Sequence, residues 1–157
     1  MIIGKNLNLT PAVCRIFFAP VDDVNSISPI PDRFHRHLAF KYRIPEPTEL
    51  SWKEIYFTAG TAEFNEKSKD TDSGELIEQS LKFIFPGEDE ANLAALDLIA
   101  GRPVLVKVQY SAGMSKLIGD LDNGAKLSQV IQISNKISGS QLEFTCLATY
   151  RSCWITP

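Results

Sequence analysis

Residues 76–85 read LIEQSLKFIF. Ile77, Gln79, Leu81, Phe83 and Phe85 recur at every second position. Successive side chains of an extended chain point to opposite faces, so these five line one side of a strand. A helix over the same residues would scatter them around its axis. Residues 76–85 are therefore expected to form a strand with one buried face, and the rest of the chain is read outward from it.

On the C-terminal side, Pro86-Gly87 opens a helix expected at about 88–100. Glu88, Asp89 and Glu90 crowd its first turn, where carboxylates favour the positive end of the helix dipole. Leu93, Leu96, Ile99 and Ala100 form one apolar stripe, Gly101 suits the C-cap, and Pro103 prevents continuation. Strands follow. Val104, Val106, Val108 and Tyr110 share a face, Ser111-Ala112-Gly113 turns the chain, and residues 116–119 return. Asn123-Gly124 is a hairpin signal. Residues 129–137 alternate with Ile131, Ile133 and Ile137 inward. Ser138-Gly139-Ser140 reads as a turn before a last face of Leu142, Phe144, Cys146, Ala148 and Tyr150.

On the N-terminal side, residues 61–75 (TAEFNEKSKDTDSGE) are dense in charge and small polar groups, with Phe64 as the one large apolar residue. They read as a long loop, mobile in the isolated subunit, because alone they bury too little apolar area to offset their ordering entropy. Residues 64–73 are then expected to be removable with the fold intact. Residues 52–58 alternate, with Lys53, Ile55 and Phe57 on one side. Residues 37–44 suggest a strand stopped by Pro45 and Pro47, residues 20–33 a Pro-rich arm or loop, and residues 13–18 an apolar first strand. The fold class is mainly β (α+β): an antiparallel β-barrel or sandwich with one flanking helix, in a single domain spanning 1–157.

Composition narrows the function. With 157 residues and 44% hydrophobic content, the chain can bury one sizeable core. A net charge of −3 gives no general attraction to duplex DNA. Three cysteines, Cys14, Cys146 and Cys153, with no CxxC spacing, suit reduced thiols. Residues 1–10 lack an apolar run of signal length, and no stretch approaches the roughly 18 apolar residues that span a bilayer. The expectation is a chain made in a cytoplasm, with no membrane partner.

No constellation recommends catalysis. His35 and His37 would face one way on a strand, but no acidic or Cys ligand stands at a supporting spacing. Asp120 and Asp122 lack the third ligand and closing glutamate of a calcium loop. Asp22-Asp23 and Glu88 to Glu90 are solvated neighbours, without the contrasting environments acid–base chemistry needs. No G-x-S-x-G, P-loop or G-x-G-x-x-G occurs. Arg33, Arg36, Lys41 and Arg43, interleaved with Phe34, Phe40 and Tyr42, form the densest basic group, which a strand with one wet face explains as well as a nucleic-acid surface does. The expectation is no enzyme, no metal and no cofactor.

Four pieces carry a family likeness: Phe83-Ile84-Phe85-Pro86-Gly87, the helix to Ala100, Val104 to Val108, and Leu117-Ile118-Gly119-Asp120. Together they resemble small proteins of Bacteroidota phages and prophages, from virion-morphogenesis neighbourhoods. The layout over residues 50–157 also resembles the phage tail-tube fold, shared by the tubes of contractile injection systems. That resemblance implies a virion structural protein without catalytic residues. Its subunits would form stacked hexameric rings around a channel, with other tail proteins as partners and DNA passing through without specific binding. Residues 61–75 would be the loop reaching the neighbouring ring, so Phe64, Asn65, Glu66, Lys67, Lys69, Asp70 and Asp72 are the subunit-interface candidates. A tail terminator, neck or other minor virion protein is the alternative within this class. A small-ligand or peptide binding module is the alternative from another.

Overall fold

A computed structural model describes residues 12–23, 43–45, 52–86, 94, 96–97, 99–111, 113–119, 124–133, 138–148 and 152–156. Its strands are β1 (Val13–Pro20), β2 (Arg43–Pro45), β3 (Lys53–Ile55), β4 (Glu63–Thr71), β5 (Gly74–Phe85), β6 (Val104–Tyr110), β7 (Ser115–Ile118), β8 (Lys126–Ile133), β9 (Ser138–Ala148) and β10 (Cys153–Thr156). They form two sheets. One has six strands in the order β2-β10-β7-β6-β1-β3, and the other has four in the order β4-β5-β9-β8. Every pairing is antiparallel except β10 with β2, which is parallel. Neither sheet closes on itself, so the architecture is sandwich-like and not a barrel.

The alternation of β5 decides the core, as its sequence requires. Ile77, Gln79, Leu81, Phe83 and Phe85 are all buried, opposite Ala148, Cys146, Phe144, Leu142 and Ser140 of β9. Phe83 stacks on Phe144 at 5.9 Å between ring centroids and meets the edge of Phe57 at 6.1 Å. From the six-stranded sheet, Ile16, Phe18, Val104, Val106, Val108 and Ile118 complete one shared core. Leu105 and Leu117 are buried as well, on the opposite side of their strands, so this sheet is apolar on both faces at its centre. Within the expected helix, Ala94, Leu96, Asp97 and Ile99 have helical backbone, and Leu96 and Ile99 join the core. Residues 87–93 and the helix start with its three acids lie outside the described residues.

Two expectations are corrected. Residues 61–75 are not a long loop. Residues 63–71 are β4, paired with β5 from Glu63↔Lys82 to Thr71↔Gly74 across a two-residue turn. The polar sequence hid a strand ordered mainly by backbone pairing to an apolar neighbour, with Phe64 its one large apolar side chain against the core. Ser138-Gly139-Ser140 is likewise strand, opposite Ile133, Gln132 and Ile131, because small residues are tolerated where the ladder itself supplies the contacts. The Pro-rich segment is described only to residue 23, where Val21–Asp23 forms a single 3-10 turn. The remainder of that arm, His35 and His37, the basic group apart from the backbone of Arg43, residues 120–123 and Tyr150 lie outside the described residues.

Candidate assembly interface

The chain enters the four-stranded sheet through a braced corner. Thr58 N–H donates to the Ile84 carbonyl at 2.9 Å. The Thr61 hydroxyl donates to the Thr58 carbonyl at 2.6 Å and accepts from Ile84 N–H at 3.2 Å. Gly60 supplies the left-handed φ of +79° that this corner needs. β4 therefore starts in a fixed position beside β5. At its far end the Thr71 hydroxyl donates to the Gly74 carbonyl at 2.6 Å and closes the hairpin. The last pairs, from Lys69↔Leu76 to Thr71↔Gly74, run past Ala148↔Ile77, the last pair of β9 with β5 among the described residues.

β4 presents two different faces. Phe64 and Glu66 turn inward. Phe64 packs against the core, and the Lys116 ammonium of β7 lies 5.6 Å from its ring centroid. The same ammonium lies 4.7 Å from the Trp154 ring, which meets Tyr110 at 5.7 Å. Ser152, buried just before β10, donates its N–H to Glu66 Oε1 at 2.8 Å, and its hydroxyl donates to the same oxygen. Burial, helped by the negative charge of Glu66, pushes the Tyr110 phenol up to about 12. Glu66 is thus a strut that ties the edge of one sheet to the other.

Of the seven candidates, Phe64 and Glu66 are therefore occupied within the chain itself. Asn65, Lys67, Lys69, Asp70 and Asp72 are exposed. The Asn65 amide donates to Glu63 Oε1 at 3.2 Å, on the outward face. That face carries opposite charges across the ladder: Glu63 beside Lys82 beside Glu143, and Lys67 beside Glu78. Next to it, Lys69, Glu78, Lys126, Thr145, Leu147 and Pro103 line an open depression of about 550 Å³.

The edges of the two sheets differ. Among the described residues, no strand pairs with the outer side of β4 or of β8. They are nine and eight residues long. The six-stranded sheet ends instead in β2 and β3, each of three residues. Sequence reading took residues 61–75 for a loop and missed the strand. The available signal was the turn chemistry of Asp72-Ser73-Gly74 set directly before a clear strand.

A second cluster occupies the outer face of the six-stranded sheet. Lys107 lies 4.6 Å from the Phe17 ring and 4.9 Å from the Trp52 ring, and the Arg15 guanidinium lies 4.8 Å from Phe17. Arg15 also grips Glu54 with two hydrogen bonds of 2.8 Å. That pairing raises Arg15 and holds the Glu54 carboxyl below its ordinary value. Cys14 is exposed at the irregularity between Val13 and Arg15, and Cys146 is buried. Among the described residues no group of three or more His, Cys, Asp or Glu side chains could hold a metal ion. No helix among them is long and apolar enough to cross a membrane, which says nothing of strands. No family model, curated protein or solved structure matches the chain.

Proposed function

We propose that this chain is a non-enzymatic virion structural subunit, a tail-tube-like sandwich with a flanking helix that assembles into hexameric rings stacked around a channel for DNA. The observation that carries the reading is the pair of long edges on the four-stranded sheet that no strand pairs with among the described residues. Four antiparallel strands give edges that run in opposite directions. When one subunit is rotated onto the next, β8 meets the neighbour's β4 antiparallel, and the sheet continues from subunit to subunit. Edges of this kind are a hazard in a monomer and a joint in a closed ring. The hairpin tip beyond Ser68 and Ile77 projects along the strands and is positioned to meet the next ring. In this reading the other tail proteins contact the ends of the tube, and the subunit is made in the host bacterial cytoplasm and resides in the virion.

The test is electron microscopy and size exclusion at rising concentration, with residues 69–76 replaced by Asn-Gly between the paired Ser68 and Ile77. The intact chain should give tubes and the trimmed chain separate rings, with unchanged circular dichroism. Removal of residues 64–73 is no longer a sparing deletion, because it takes Phe64 from the core and Glu66 from Ser152. A single closed ring from the intact chain would favour a tail terminator or neck protein. A monomer at every concentration would favour a binding module.

A further inference from the structure

We propose that the unassembled subunit covers its β4 edge with the β4 of a second copy, the two strands antiparallel about a two-fold axis at Asn65, as a soluble dimer. Its two four-stranded sheets would join into one of eight. The pairing itself rests on the edge, and its role as a reserve for assembly rests on the ring reading above.

Charge selects both the partner and the register. Two copies of a strand can face each other only about a central residue if the buried faces are to stay on one side, so each possible register is named by its centre. Centred on Asn65, Glu63 of each copy faces Lys67 of the other, and Asn65 faces Asn65. The outward rows then read Lys82, Glu63, Lys67, Glu78 across the joint, unbroken in alternation of sign. Centred on Lys67, the two lysines oppose each other. Centred on Ser68, Lys67 meets Lys69 twice and Glu66 meets Asp70 twice. Centred on Glu66, the two glutamates confront one another on the inner face. Centred on Phe64, both attractive pairs are lost. Edge lysines generally discourage strand addition, and here they oppose the registers centred on 67 and 68, while Glu66 facing Glu66 opposes the one centred on 66 despite its Glu63–Lys69 pairs. The surface in this register is small, so the dimer is reversible. It occupies the edge a ring needs, so dimer and ring exclude each other, and the edge stays covered until a ring nucleus competes for it.

The register can be read by crosslinking. In a Cys14→Ser background, Asn65→Cys should form a disulfide-linked dimer under mild oxidation, because the two Cβ atoms face each other across the axis. Lys67→Cys should not, and neither should the background alone. In sedimentation, Glu63→Lys or Lys67→Glu should weaken the dimer by on the order of tenfold, because two attractive cross-strand pairs become repulsive. The double swap, Glu63→Lys with Lys67→Glu, should restore it. Preferential crosslinking at 67, or failure of the double swap to restore, overturns the register. Rings that form with no dimer at any lower concentration overturn this proposal and leave the ring reading standing. A reversible, uncrosslinked dimer of the native chain that builds no rings at any concentration removes the ring reading and leaves the pairing.

Discussion

The two sheets share one core but finish differently. Among the described residues the six-stranded sheet ends in three-residue strands, β3 at one edge and β2 with Pro45 at the other. Short edges offer little ladder to a stranger, and proline has no N–H to give. The four-stranded sheet ends in nine- and eight-residue strands, with no strand paired to their outer sides among the described residues. Among the described residues, one layer therefore ends in short strands and the other in long ones. Both layers supply the core, with Ile16, Phe18 and Val106 from the first and Leu81, Phe83 and Phe144 from the second, while the second carries Glu63, Lys67, Lys82 and Glu143 on its outward face.

The largest effect should come from what the layers share. Phe83→Ala should cost about 3–5 kcal/mol, because Phe83 touches Phe144 and Phe57 at the centre of the core. Both sheets should melt in one transition by fluorescence and circular dichroism. Separate transitions would mean that they are independent units and that the contrast drawn between their edges is misplaced.

Next in size is the strut. Ser152→Ala removes the hydroxyl that donates to Glu66 and should cost about 1–3 kcal/mol. The loss should concentrate at the open edge, with β4 amides exchanging faster in hydrogen exchange while β6 amides hold. Equal acceleration in both would show that Ser152 serves the whole fold.

Tyr110 gives a smaller, pH-dependent effect at the same end. Its phenol titrates at 10.0 when unperturbed and at about 12 in the fold. The folded state holds the proton more tightly, so this contribution is complete below 10 and is lost as pH rises toward 12. With solvent screening at a half-buried site, the loss is about 1 kcal/mol. Tyr110→Phe should flatten the alkaline limb of a urea-stability profile. An unchanged limb would assign alkaline unfolding to other groups.

The smallest effect belongs to the rim of the six-stranded sheet. Glu54 is held below its ordinary value by Arg15, so its contribution is present above the usual carboxylate range and lost as pH falls through the lowered value. Glu54→Gln should trim stability slightly at neutral pH, trim it less in acid, and leave oligomer size unchanged. A change in oligomer size would show that β3 also serves as a joint.

Legibility in the sequence followed burial contrast. β5 could be read residue by residue because Ile77, Leu81, Phe83 and Phe85 alternate with polar neighbours. β6 was legible for Val104, Val106 and Val108, and less so for Leu105, which is buried on the other side. β4 was not, because Phe64 alone among its nine residues is large and apolar, and no sequence period reports a backbone ladder. The inward turn of Phe64 and Glu66 was hidden for a further reason: their partners, Lys116 and Ser152, stand far away in the chain. For the same reason, sorting ten strands into two sheets depends on long-range pairing that local patterns do not record.

The hydrogen bonds from Ser152 to Glu66 also set how the hairpin carries load. Pulled along its length, the β4–β5 ladder is loaded in shear, and its nine residue pairs share the force. Pulled sideways at the tip, it opens like a zipper, one pair at a time from Thr71↔Gly74 inward. That zipper meets a rivet at Glu66, where the next step must also break a tie to the opposite layer. Beyond it lies Phe64, seated in the core. A lateral tug on the tip is therefore arrested partway, and the root of the hairpin keeps its place through rupture and re-closure of the tip.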